Sequence, residues 1–227
     1  MTFSNGRLNL WGLPKDFLED IKMKLNDLCA HFVPLLELPL SDFTELLRAL
    51  KEQSDHFDIT KYPEMIERSA LYDDSGVNAE ILKARAGPGG GLNADPFLAA
   101  FFLTALLVNG GRKDVAHRTW RAWHMHVAGS VLTGWGDNPK FDIKTCPLTG
   151  QHLFGNAFKV ILGDEHIART IEEIRISSAQ FAEIQYDGGA VSRFEGSGHK
   201  LRSSTGVSTT IALSGAAIAS IADLLKQ

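Results

Sequence analysis

An α+β fold is what this sequence predicts: a helical N-terminal part around a buried apolar helix at about 96–108, followed by a mainly antiparallel, β-rich C-terminal part. Three observations carry that expectation. Residues 97 to 108 are apolar except at Thr104, and they lie between Asp95-Pro96 and Asn109-Gly110-Gly111. Apolar residues recur at three- and four-residue spacing in the early chain, as one face of a helix requires. After Gly129 the pattern shifts to short alternating runs separated by turn formers. The expected division is an α-helical part over 1–130 and a β-rich part with a C-terminal helix over 131–227, as two units or one continuous domain.

Composition narrows the function classes. A chain of 227 residues can bury a core without staples. Its 44% hydrophobic and 22% charged content is that of a globular protein. The formal net charge of −4 argues against a protein that coats nucleic acid over its whole surface, while leaving room for a local basic surface. Cys29 and Cys146 stand apart and form no C-x-x-C pair, which suits a reducing compartment and two ordinary thiols; a single long-range disulfide is the alternative. The run from Met1 to Arg7 has no apolar stretch followed by a cleavage site, so a cytoplasmic location is expected.

Taken in order, the elements have local causes. Pro14 opens a helical pattern with Leu18, Ile21, Leu25, Leu28, Cys29 and Phe32 on one face, and the two prolines of Val33 to Leu40 predict an extended connection after it. Ser41 or Asp42 is expected to cap a second helix carrying Phe43, Leu46, Leu47 and Leu50, with Glu45 completing a capping box. Short helices are expected from Tyr62 and over Val77 to Ala86, then a glycine-rich spacer from Ala86 to Asn93. Asp95 and Pro96 start the central helix, because a carboxylate accepts from free N–H groups and proline lacks the N–H that would go unpaired. At this length the helix falls short of the roughly 20 apolar residues a bilayer demands, so no membrane span is expected. Arg112 to Val127 is expected to be helical, forming an αα-hairpin with the central helix, although Trp120 to Val127 also alternates as a strand would. Strands are expected over Phe141 to Thr145, Phe158 to Leu162, Ile171 to Ile176, Phe181 to Tyr186 and Ala190 to Phe194, and a helix over Ser214 to Lys226. Tyr186-Asp187-Gly188-Gly189 is the clearest hairpin turn, since such turns need the positive φ that glycine adopts at low cost.

Two constellations carry chemistry. Arg112, Lys113, Arg118 and Arg121 outnumber the one acid of their segment, Asp114, and Trp120 and Trp123 lie among them. Arginines grip phosphates and indoles stack on bases, so Arg112, Lys113, Arg118, Trp120 and Arg121 are the expected nucleic-acid-binding residues. Packing of both indoles in the core, with the cations as a solvated rim, is the competing structural reading. Lys200 and Arg202, near Arg193 in sequence, would extend the basic surface if folding brought them close.

The second constellation is Asp142-Ile143-Lys144, where strand spacing turns a carboxylate and an ammonium the same way. In that geometry Asp142 would bind Mg²⁺, and Lys144 would position water or stabilise developing charge. The tripeptide resembles the D/E-x-K half of the PD-(D/E)xK nuclease superfamily, which implies a further acid on a preceding strand. Asp137 sits in an expected turn and Asp114 in an expected helix, so neither matches that pattern.

His117, His124 and His126 invite a zinc reading, yet none has the i,i+4 spacing that a helical metal pair uses; only a strand would put His124 and His126 on one face. No metal or other cofactor is expected, apart from Mg²⁺ under the nuclease alternative. With no complete catalytic constellation, the expected function is a non-enzymatic binding or assembly protein that contacts nucleic acid or another anionic polymer through the basic aromatic segment. The alternatives are a Mg²⁺-dependent nuclease using Asp142 and Lys144, and a self-assembling structural protein whose partner is a second copy.

Overall fold

Residues 23–54, 93–108, 113–131, 145–178, 181–196 and 209–226 are described by the computed structural model. The fold over them is α+β. In chain order they form α1 (Leu25–Leu36), α2 (Leu40–Ser54), α3 (Pro96–Leu107), α4 (Val115–Trp123), β1 (His126–Val131), α5 (Phe154–Gly163), α6 (Glu165–Thr170), β2 (Ile171–Ser177), β3 (Phe181–Tyr186), β4 (Ala190–Glu195), β5 (Thr210–Ser214) and α7 (Gly215–Leu224). The five strands make one antiparallel sheet in the order β1-β4-β3-β2-β5. The expected helix start from Pro14 to Ile21, the expected helices from Tyr62 and Val77, the glycine-rich spacer up to Leu92 and Phe141 to Lys144 lie outside the described residues. Lys24 is extended and bridges Asn93, so α1 begins only at Leu25.

The central helix forms where its end signals place it. Asp95 Oδ1 accepts a hydrogen bond from the Leu98 N–H at 2.7 Å, and Pro96 occupies the first turn. Leu98 to Ala105 and Leu107 are all buried. Thr104, its one interior polar residue, donates its hydroxyl to the Ala100 carbonyl at 2.7 Å and so carries no unpaired group into the core. α3 packs against α2, α4, α5 and β5. Its Phe102 lies 6.1 Å from Phe32 of α1 and 6.3 Å from Phe43 of α2, ring centre to ring centre. The resulting apolar core is continuous from α1 to α7. Among the described residues, no helix is long and apolar enough to cross a membrane.

Four expectations are corrected by packing. Val33 to Leu36 is not extended, because α1 runs through Pro34 and turns only at Glu37, whose φ of 53° closes the helix. Pro34 sits exposed in the last turns, where its ring meets solvent. α2 starts at Leu40, and the Asp42 N–H bonds to the Pro39 carbonyl at 3.0 Å, so Asp42 lies inside the first turn and not at the cap. Phe158 to Leu162 belongs to helix α5, since Phe154, Ala157, Phe158, Ile161 and Leu162 form one buried stripe at helical spacing. The segment from Arg112 to Val127 is not one helix: α4 ends at Trp123 and β1 begins at His126.

Three strands stand as expected to within a residue, and α7 is capped by Ser214, whose hydroxyl accepts from the Ala217 N–H at 3.4 Å. The β3–β4 turn uses positive φ at Asp187, Gly188 and Gly189, at 48°, 73° and 105°. Glu172 holds that turn by accepting from the Gly188 N–H and the Gln185 amide, both at 2.7 Å. α6 and β5 carry no expectation from the sequence. Asp164 starts α6 by accepting from the His166 and Ile167 N–H groups.

At the joint between α4 and α5 the indole of Trp123 lies directly on Gly155, and a Cβ there would fall inside the ring. Gly155→Ala should therefore cost about 1–3 kcal/mol of stability, the usual range for overpacking a filled core, read from urea unfolding. A pH effect follows from Cys29. Both cysteines are free and buried, and burial pushes the Cys29 thiol from 9.0 to about 11 against a smaller downward pull from Lys51. The folded state thus favours the neutral thiol, so this contribution is complete below about pH 9 and lost as pH rises towards 11. Melting temperature should fall less steeply over that window in Cys29→Ala than in the parent, whatever their difference at neutral pH.

Candidate functional site

The basic aromatic segment is built by α4. Its N-terminus is held from outside, because Gln53 of α2 accepts the Ala116 N–H at 3.0 Å. Val115, Ala116, Thr119, Trp120, Ala122 and Trp123 are buried, a wide face at helical spacing. Thr119 satisfies its hydroxyl on the Val115 carbonyl at 2.7 Å. The ring of Trp120 lies 4.8 Å from Phe101, and that of Trp123 lies edge-on to Phe97 at 5.0 Å. Trp120, expected on the surface to stack with bases, is 3% exposed, and its neighbour Trp123 is 0% exposed. Both indoles are core residues.

What this leaves outside is cationic. His117, Arg118 and Arg121 are half-buried on the other side of α4, and Lys113 is exposed in the turn before it. Positions 117, 118 and 121 are helical neighbours, so these groups form one row. Arg118 Nη1 donates to the Lys113 carbonyl at 2.6 Å, which ties the guanidinium to the turn. Arg112 lies outside the described residues, as do Lys200 and Arg202.

The histidines do not combine. His124 ends α4, is 1% exposed, and holds Nδ1 at 2.8 Å from the Trp120 carbonyl, where only a protonated nitrogen can donate. His126 is the first residue of β1. The rings therefore belong to different elements and do not share a strand face. Among the described residues, no group of three or more His, Cys, Asp or Glu could hold a metal ion. Asp142 and Lys144 of the nuclease alternative, with Asp137, lie outside the described residues.

A charged row that sequence reasoning missed crosses the sheet. The register sets Arg175 of β2, Glu183 of β3 and Arg193 of β4 side by side. Glu183 is 8% exposed, and its carboxylate accepts from Arg175 at 2.5 Å and meets Arg193 at 3.5 Å. Glu195 takes the Arg193 Nε at 2.9 Å, and Glu173 lies 3.7 Å from Arg175. The Arg193 guanidinium also covers the Phe181 ring at 4.3 Å. Three carboxylates thus face two guanidiniums, so the row is compensated and does not attract anions. Arg193 belongs to it and is engaged there, not in an extension of the α4 surface. The available signal was the two-residue spacing of Glu173 with Arg175 and of Arg193 with Glu195, which becomes a row only once the register is known.

Behind the sheet, Cys146 donates to the Ser192 hydroxyl at 3.4 Å, and the Tyr186 hydroxyl lies 3.2 Å from the same oxygen. Burial pushes the Tyr186 hydroxyl up, opposed by its bond to Ser192. All three groups are buried and mutually bonded, an arrangement that satisfies polar atoms within the core.

Glu183→Ala would leave two guanidiniums side by side without their shared acceptor. A loss of about 1–3 kcal/mol is expected on chemical unfolding, with Glu183→Gln losing less because an amide oxygen still accepts. Compared with family models, curated proteins and solved structures, the chain finds no match.

Proposed function

We propose that this chain is a non-enzymatic binding protein that contacts an anionic polymer, with nucleic acid the first candidate, through Lys113, Arg118 and Arg121; Arg112 adjoins them in sequence. The observation that carries the reading is the sorting of α4. Its apolar and aromatic residues face α3 and α5, while its cations form a row on the far side with Asp114 the one acid of the segment. A rigid helix whose indoles anchor it in the core presents such charges at low entropic cost.

The same sorting sets the chemistry of binding. With Trp120 and Trp123 inside, contact is made to phosphates and not by stacking on bases, and phosphate contacts carry no sequence information of their own. Binding would be tolerant of sequence and strongly dependent on salt.

Fluorescence anisotropy with labelled single- and double-stranded DNA and RNA, repeated across a salt series, tests this. Arg118→Glu combined with Arg121→Glu should weaken binding by about tenfold or more and flatten the salt dependence by roughly 1.4–1.8 in log–log slope, the loss of two phosphate contacts. Trp120→Phe should bind as the parent does. Parent-like affinity in the double variant, with its melting curve intact, would remove the reading.

A further inference from the structure

The sheet has two edges, and they differ. At β1 the pairing with β4 shifts between Val127 and Gly129. Irregularities of this kind bend an edge away from further pairing. β5 pairs with β2 without a shift from Ser177↔Thr210 to Glu173↔Ser214. It contains Thr210, Ile211, Ala212, Leu213 and Ser214, with neither a charge nor a proline to protect it. No described strand pairs with its outer side.

The ladder also shows which backbone groups face outward. One register step beyond Ser177↔Thr210, the Ser178 N–H donates to the Thr209 carbonyl at 2.9 Å. Bonded and non-bonded pairs alternate along an antiparallel ladder. Ile211 and Leu213 therefore bond inward to β2, and Thr210, Ala212 and Ser214 turn their N–H groups away from it.

We infer that β5 is a self-pairing edge: two copies of this chain join antiparallel through Thr210–Ser214, with Ala212 on the two-fold axis, into one continuous sheet. The register is self-consistent. A two-fold axis at Ala212 sets Ala212 against its own copy, Thr210 against Ser214, and Ile211 against Leu213, so outward-facing residues meet outward-facing residues. Ile211 and Leu213, half-buried and buried, continue an apolar face across the join. Thr210, Ala212 and Ser214 are exposed on the other face and meet small uncharged partners. The nearest charge in register, Arg175 beside Ala212, would lie three strand spacings from its copy, roughly 14 Å. That exceeds the screening length of about 8 Å at physiological salt. This inference does not depend on the anionic ligand.

Sedimentation velocity of the full chain over a range of concentrations, at fixed salt and without nucleic acid, is the test. The parent should move from one-chain to two-chain mass as concentration rises. Ala212→Pro removes the central outward N–H, a change an edge strand tolerates, and should stay at one-chain mass with an unchanged circular dichroism spectrum. Ala212→Lys and Ala212→Glu should each remain monomeric alone, because like charges would face each other at the axis, and should form a mixed dimer when combined. This pair decides the matter if the proline variant fails to fold. A parent that is monomeric throughout would overturn the inference. So would folded Ala212→Pro that still dimerises, or Lys and Glu variants that behave identically alone and mixed.

Discussion

The enclosure of α3 is the constraint on which the other packing depends. A helix with no polar side gains from burial in every direction, and each turn left in water would forgo about 25 cal/mol for each Å² of apolar surface. The neighbours α2, α4, α5 and β5 meet that demand together. Each had to present an apolar face inward, and in doing so fixed where its own polar residues point. Trp123 illustrates how tight the enclosure is, since its ring occupies the space that any side chain at position 155 would need.

Charge is distributed in two ways around this core. On the sheet, acids and bases alternate across neighbouring strands, and Glu183 is shared by two arginines whose positive field it offsets together with Glu173 and Glu195. The ion pairs of Glu165 with Arg169 and Lys226, and of Arg169 with Asp223, likewise tie α6 to α7. The hydrogen bond from Lys226 holds the Glu165 carboxyl below the usual range. On α4 the cations sit in a row with one acid, Asp114, in their own segment. The proposed anionic contact is placed on α4 because its basic residues lie together on one side of a helix anchored in the core. β5 differs from both, having no charge at all. A second copy paired there, as inferred above, would meet no charge on the strand itself.

Legibility followed the range of the forces involved. The start of α3 and the Asp187-Gly188-Gly189 turn are set by hydrogen bonds and backbone preferences within a few residues, and both are visible in the sequence. Phe158 to Leu162 reads as a strand because a short run rich in aromatic and branched residues suits a strand or a buried helix equally, and Phe154, which completes the helical stripe, lies outside that run. Pro34 suggested a break, yet in the last turns of α1 its ring faces solvent. β5 is not legible in the sequence because five residues with three exposed side chains carry little periodic signal until β2 supplies the pairing. For the site, the cations of α4 were legible as a cluster, while the fate of Trp120 was not. An indole serves equally well in a core or on a surface, and only the presence of Phe101 beside it settles which.

The sequence by itself determined the α+β class, the central helix with its N-terminal cap, and the strands on either side of the clearest turn, because each rests on local geometry or on periodicity within one segment. Only the tertiary structure decided that Trp120 and Trp123 turn inward, that Glu183 lies between Arg175 and Arg193, and that β5 ends the sheet with Ala212 facing outward. Those outcomes depend on register and packing between residues far apart in the chain. No single segment contains the partners that decide them.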